Sequence, residues 1–498
     1  MDREGLKWLL IGLGGAAMVL VLLGGAGLFL FFLSDDIFRA GQVAYEGPKQ
    51  SGMEKRAEAE KKYFAQLEEY GLLDRYTIVI SEGEWREVLY AQGDFEAVDD
   101  HLEKLFNSDN EQERLYWYSS LCNGLGSFPY GADPDRMRSV LDRWLEARPQ
   151  SQGARIVLGR FLVNYAWAWR GGGYADTVSG EGFAKFGSAL EEARTVLEEA
   201  RMNRPDDAEP PYILLTVALG LGLPRETMES YYADAIKAAP HHYGARAEKF
   251  RFLLPKWYGS WEEADTFLEE CLDDAELYPD LRLLQHYAYR EMSGARSGYE
   301  DILKEAEVQQ VILSIYEDRL KLWPDSLAIL CDYAYTLYYF QEYEKATAIF
   351  EQIGDRFHTS SLWSSVIAYN RSRAGAYAAY SSELEDADER ESYMDRAVEL
   401  APYDGYPFYK RGRYYAEAGR LEEAGADALA AIGVDRNYAK AHELLHYVYA
   451  HQGRFDEIIA ISEAMLAEGV NDEVRKVLEQ SKRRAEVERR PTGNQSAN

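Results

Sequence analysis

The plainest chemistry in the chain is spelled by five residues near its C-terminal end. His442-Glu443-Leu444-Leu445-His446 reads H-E-x-x-H. On a helix that spacing puts two imidazoles one turn apart on one face, where they can hold zinc, with the glutamate beside them as general base of a hydrolase. The longer form of the motif requires glycine at 449 and histidine at 452, but Tyr449 and Gln452 stand there. The alternative form requires a downstream helical glutamate as third ligand, for which Glu463 and Glu468 are in place.

A second group has the chemistry of recognition. "YAWAWRGGGYADTVSGEGFAKF", from Tyr165 to Phe186, sets aromatic residues and an arginine against three consecutive glycines that must end a helix, followed by a polar loop. The segment "RFLLPKWYGSW" further along repeats the aromatic and cationic theme. Trp and Arg are the side chains that most often anchor interfaces, so Trp167, Trp169, Arg170, Tyr174, Asp176, Trp257 and Tyr258 are the candidate partner-binding residues. The competing expectation is that these aromatics are core and the insertion is a packed loop. Gly171-Gly172-Gly173 is no phosphate loop, because neither a preceding strand nor a following G-K-[ST] accompanies it.

The elements that carry both groups follow from a repeat. "AEAGRLEEAGADAL" around Gly419 returns as "AHQGRFDEIIAISE" around Gly453, 34 residues on. Small residues at Gly412 and Ala424, large ones at Phe408 and Tyr415, and a proline closing each unit (Pro149, Pro205, Pro240, Pro324, Pro402) define pairs of antiparallel helices. This pattern resembles the tetratricopeptide repeat (TPR), over most of residues 79–470. The resemblance implies an all-α chain, an α-solenoid of TPR-like helix pairs, less regular over 79–280 and more regular over 281–470, that binds protein partners through its surface. Residues 115–280 also resemble an uncharacterised bacterial repeat family that carries the tryptophan/glycine insertion together with P-K-W-Y-G-S; no activity follows from that likeness. In the 34-residue register His442 falls on Phe408 and His446 on Gly412. Both histidines therefore occupy positions that pack the first helix of a pair onto the second. Packing is the expected role, with His442 and His446 as metal ligands the lesser alternative.

Composition narrows the function further. With 85 acidic against 55 basic residues and a formal charge of -30, the surface repels phosphate backbones, so no nucleic-acid partner is expected. The three cysteines, Cys122, Cys271 and Cys331, are too scattered for a disulfide framework or metal knuckle. No cofactor is expected, and no catalysis. Trp8 to Leu33 contains no charged residue and is long enough to cross a hydrocarbon core of about 30 Å. The expectation is a transmembrane helix over 8–33 anchoring a single-pass protein in the bacterial inner membrane, its C-terminal domain extracytoplasmic. A solvated juxtamembrane stalk over 34–78, a capping helix over 471–490 and a disordered tail over 491–498 complete the layout. The leading reading is a membrane-anchored scaffold or adaptor. A zinc hydrolase using His442, Glu443 and His446, and a small-molecule or glycan receptor using the insertion, are the alternatives.

Overall fold

The structure, a computed structural model, describes residues 19–20, 30–31, 51–69, 77–79, 83–109, 114, 117–127, 132–173, 175–276, 279–296, 302–358 and 365–489. The chain divides into two compact units, one of residues 1–333 with 355–364 and the other of residues 334–354 with 365–498.

The first unit is built from helices α1 (Gly52–Glu69), α2 (Gly83–Glu87), α3 (Phe95–Phe106), α4 (Tyr118–Gly126), α5 (Pro134–Ala147), α6 (Gln152–Arg170), α7 (Gly180–Asn203), α8 (Glu209–Leu221), α9 (Arg225–Ala238), α10 (Tyr243–Phe252), α11 (Trp261–Asp273), α12 (Leu283–Ala295) and α13 (Ala306–Leu322). Their starts are set locally. Asp133 ahead of Pro134, Ser151, Ser179 and Ser260 each accept a backbone N–H of the first turn. From α6 onward each helix packs on its successor, and α6, α8, α10 and α12 also touch in sequence, forming one inner row. That row explains α6, whose residues from Gln152 to Val163 are buried on every side. A short parallel pair, β3 (Thr77–Val79) with β4 (Arg356–His358), is the strand content of this unit beyond residue 50 among the described residues.

The second unit takes α14 (Leu327–Tyr339) from residue 334 onward, then α15 (Tyr343–Ile353), α16 (Val366–Tyr380), α17 (Ala387–Leu400), α18 (Gly405–Glu417), α19 (Leu421–Val434), α20 (Ala439–His451), α21 (Phe455–Glu468) and α22 (Asp472–Glu488). Here α16, α18, α20 and α22 form the inner row. Within the pair α18–α19 the small-residue rule is visible. A Cβ placed on Gly412 would lie 3.0 Å from Asp427 Cβ, 3.0 Å from Leu444 Cδ2 and 3.2 Å from the Ala424 carbonyl oxygen. Arg411 pins the same junction, donating to both oxygens of Asp427 at 2.7 and 2.8 Å and to Asp395 on α17 at 2.8 Å. The all-helical, TPR-like pairing is thus what the described chain adopts.

The membrane expectation is corrected. Among the described residues no helix is long and apolar enough to cross a membrane. Most of 8–33 lies outside the described residues. Its described positions pair as antiparallel strands β1 (Val19–Leu20) and β2 (Leu30–Phe31), with Val19 opposite Phe31. Extended, ladder-bonded backbone at both places does not belong to one continuous helix. The single-pass inner-membrane localisation therefore falls. The tail 491–498 also lies outside the described residues.

Two outcomes follow from this packing. Gly412→Val should destabilise the second unit by about 1–3 kcal/mol, because three neighbours must give way at once; urea denaturation measures it. The second concerns Asp207, ahead of α8. It is buried, accepts the Tyr118 hydroxyl at 2.7 Å and the Glu209 N–H at 3.0 Å, and is raised to about 7 by that burial against the lowering effect of those two hydrogen bonds. A carboxyl whose folded pKa exceeds its unfolded value of about 3.9 favours folding when protonated, and that contribution is lost as pH rises from about 4 to about 7. Asp207→Asn should flatten stability across that window relative to wild type, read from denaturation midpoints at the two ends.

Candidate functional site

The insertion begins where α6 stops. Arg170 is the last helical residue, and Gly171 turns away with φ +70°, its N–H donating to the Trp167 carbonyl at 2.9 Å. A side chain at Gly171 would be strained, so this glycine is a stop signal of backbone origin. The chain passes through a single turn, Ala175–Thr177, and re-enters helix at Ser179, whose hydroxyl accepts the Gly182 N–H at 3.0 Å. The junction is tight on its other side too. Ser51, 3% exposed, caps α1 and exchanges hydrogen bonds with Glu54, while a Cβ on Gly52 would fall 2.1 Å from the Ala168 carbonyl oxygen and 2.5 Å from Gly171 N. The charged stretch before residue 70 thus starts against the end of α6.

Of the candidate residues, Trp167, Arg170, Trp257 and Tyr258 come together. Trp167 and Trp257 meet edge to face at 6.1 Å, and Trp257 is 6.4 Å from Tyr258. Arg170 lies over the Trp167 ring at 5.4 Å, and its Nη1 donates to the carbonyls of Gly171 and Gly173 at 3.1 and 3.2 Å. Burial, then the neighbouring Arg251 cation, lower its pKa. Tyr258, 41% exposed, donates to the Leu219 carbonyl at 3.1 Å and stacks near Phe252 at 4.8 Å; burial raises its hydroxyl pKa. The backbone of Gly222, at φ +64°, leaves room for that hydroxyl, which a Cβ there would meet at 2.9 Å.

Trp169 is directed elsewhere, since two helical steps rotate it about 200° from Trp167. It meets the edge of Tyr165 at 6.1 Å and lies under the Lys185 ammonium at 5.6 Å. Asp176 is exposed on the short turn, and Tyr174 lies outside the described residues.

Sequence reasoning missed Arg251, which sits over Trp167 at 5.2 Å and over Trp257 at 5.4 Å. Its signal was its place at the head of the P-K-W-Y-G-S segment, on the last turn of α10. It also missed Arg160, fully buried two turns before Trp167, its guanidinium over the Tyr212 ring at 4.9 Å. An arginine between Gly159 and Phe161, inside an apolar run of α6, was the available clue.

The H-E-x-x-H residues divide. His442 and His446 are buried, with ring centroids 6.5 Å apart, while Glu443 is exposed on another face of α20. His442 Nε2 donates to the Arg436 carbonyl at 2.9 Å, which occupies that nitrogen. Burial lowers the pKa of both rings, His446 to about 4. Among the described residues no group of three or more potential ligands could hold a metal ion. The histidines pack the inner face of α20, and no third ligand stands beside them among the described residues.

No family model matches this chain, and no curated protein matches it. Among solved structures the chain is similar to MamA, at 16% identity over 38% of this chain and 97% of that one, with a TM-score of 0.26. It is similar to yeast Tom70, at 12% identity over 82% of this chain and 97% of that one, TM-score 0.28. It is also similar to a human IFIT1 dimer with m7Gppp-AAAA, at 13% identity over 83% of this chain and 86% of that one, TM-score 0.28.

His446→Ala should stay within about 1 kcal/mol of wild-type stability. Removing a buried imidazole whose two nitrogens have no protein partner gains back part of what the cavity costs. Urea denaturation with elemental analysis for zinc checks it. Stoichiometric zinc in the wild type that disappears in the variant would make the pair ligands after all.

Proposed function

We propose that this chain is a non-catalytic scaffold that binds protein partners, and that the end of α6 with the turn after α10 is a contact point. The observation that carries the reading is the composition of that patch. Two tryptophans, a tyrosine and two arginines converge where the helix pairs are interrupted, with Tyr258, Pro255 and Lys256 exposed at its edge. Large aromatic and arginine side chains that are partly buried before binding lose little freedom on association, which is why such clusters dominate binding energies. The inner rows of helices supply the rigid support such an anchor requires. Against a zinc site stands the packing of His442 and His446 into the helix-pair interface, with no third ligand beside them among the described residues.

The test pairs affinity capture by the full chain with thermal melting. Arg170→Ala should lose partners that the wild type captures while its melting temperature shifts by no more than about 2–4 °C, the change expected for about 1 kcal/mol in a domain of this size. Retained capture, or a collapse in stability, would remove the patch as a binding surface.

A further inference from the structure

Several buried donors of the first unit have no acceptor, and three of them belong to the cluster at the end of α6. In a chain with 85 acidic residues most arginines find a carboxylate: Arg201 reaches Asp234 at 2.5 Å, Arg282 reaches Asp318 at 2.6 Å and Arg155 reaches Glu199 at 2.6 Å. Arg170 does not. Its contacts are two loop carbonyls and an indole face, with no carboxylate in ion-pair range among the described residues. Arg251, 3% exposed, has only Glu248 at 3.4 Å, and its Nε has no acceptor. Both guanidiniums lie over the same Trp167 ring. The indole N–H groups of Trp167 and Trp257, each buried at the nitrogen, also have no acceptor.

An unpaired buried donor is costly, and more so when it is charged. Arg251 Nε and the two indole N–H groups, beside the Arg170 cation, are a donor set whose chemistry suits an oxyanion. A carboxylate or phosphate oxygen accepts from guanidinium and indole N–H together, and guanidinium geometry suits either. The nearby carboxylates do not fill this role. Glu291 is held by Lys256 at 2.7 Å, and Glu209 faces His242 at 3.1 Å. Glu248 and Glu291 each keep one buried oxygen without a donor. Those oxygens lie on α10 and α12.

We infer that the end of α6, with Arg251 and the turn carrying Trp257, binds a carboxylate or phosphate group through Arg170, Arg251 and the indole N–H groups of Trp167 and Trp257. This rests on the proposed recognition role of the patch and names the group recognised there. The test is calorimetric titration of the full chain with inorganic phosphate and, separately, with acetate, at constant ionic strength set by sodium chloride. Saturable binding of at least one anion is expected; which of them binds identifies the source chemistry. Arg170→Gln should weaken it at least tenfold. Trp257→Phe, which keeps the ring and removes the N–H, guards against a folding defect, and each variant is accepted only if its melting curve matches wild type. Weakening in either folded variant supports the site. No saturable binding of either anion, or unchanged affinity in both folded variants, overturns it. Partner capture that depends on Arg170 with no anion binding would sink this inference and leave the scaffold reading standing; anion binding without partner capture would do the reverse.

Discussion

How closely the two helices of a pair approach governs the rest of this fold. A Cβ on Gly159 of α6 would lie 2.5 Å from Leu197 of α7, and one on Gly126 of α4 would lie 2.7 Å from the stem of Arg160. Gly412 plays the same part in the second unit. These contacts bring helix axes near enough for Leu, Phe and Trp on flanking positions to exclude water, each fully buried large side chain contributing about 1.5–3 kcal/mol. With the pairs closed, their first helices are left side by side. Stacking those helices into the inner rows buries the apolar face that each pair leaves open.

The same closeness makes interruptions visible. Between α6 and α7 the chain needs extra length, and glycines in and around that junction serve two physical ends. Gly171 supplies a left-handed backbone, while Gly52 and Gly182 supply bare surface against the carbonyls of Ala168 and Trp169. Polar carbonyls at a helix end require partners or water, and here Arg170 provides donors to the loop that follows. The arginine is therefore half structural. Its guanidinium braces the glycine turn at one nitrogen and leaves its charge unmatched by any carboxylate among the described residues, which is how one side chain can serve both the fold and a surface.

At the other end of the chain the helix-pair rule is relaxed. His446 occupies the register of Gly412, so α20 presents a ring where α18 presents a hydrogen atom, and Ser462 across the pair is buried with an unpartnered hydroxyl. A pair that holds imidazoles in its interface keeps them neutral, because the charged form would be desolvated. As pH falls from about 6.5 toward 4 that interface loses the contribution of the neutral ring. A spelled motif has thus become an interface property, through burial alone.

Much of the fold was legible in the sequence. The 34-residue spacing, the prolines and the Gly412–Ala424 pairing determined helix pairs and their register, because close packing restricts residue size at fixed positions. The register also placed His442 and His446 inside α20 and Glu443 outside it, since a helix separates neighbours by about 100°. The same geometry separates Trp169 from Trp167, yet both had been grouped by adjacency in sequence. What only the tertiary structure decided was company. Arg251 and Trp257 reach Trp167 because α10 packs beside α8 and α8 beside α6, a chain of contacts no local pattern encodes. Apolar composition over 8–33 suggested a span, while the strand pairing of Val19 with Phe31 depends on which backbone groups find each other. Side-chain size and helical period act locally and can be read along the chain; hydrogen-bond partnership and charge balance are settled between distant residues, and only folding brings those together.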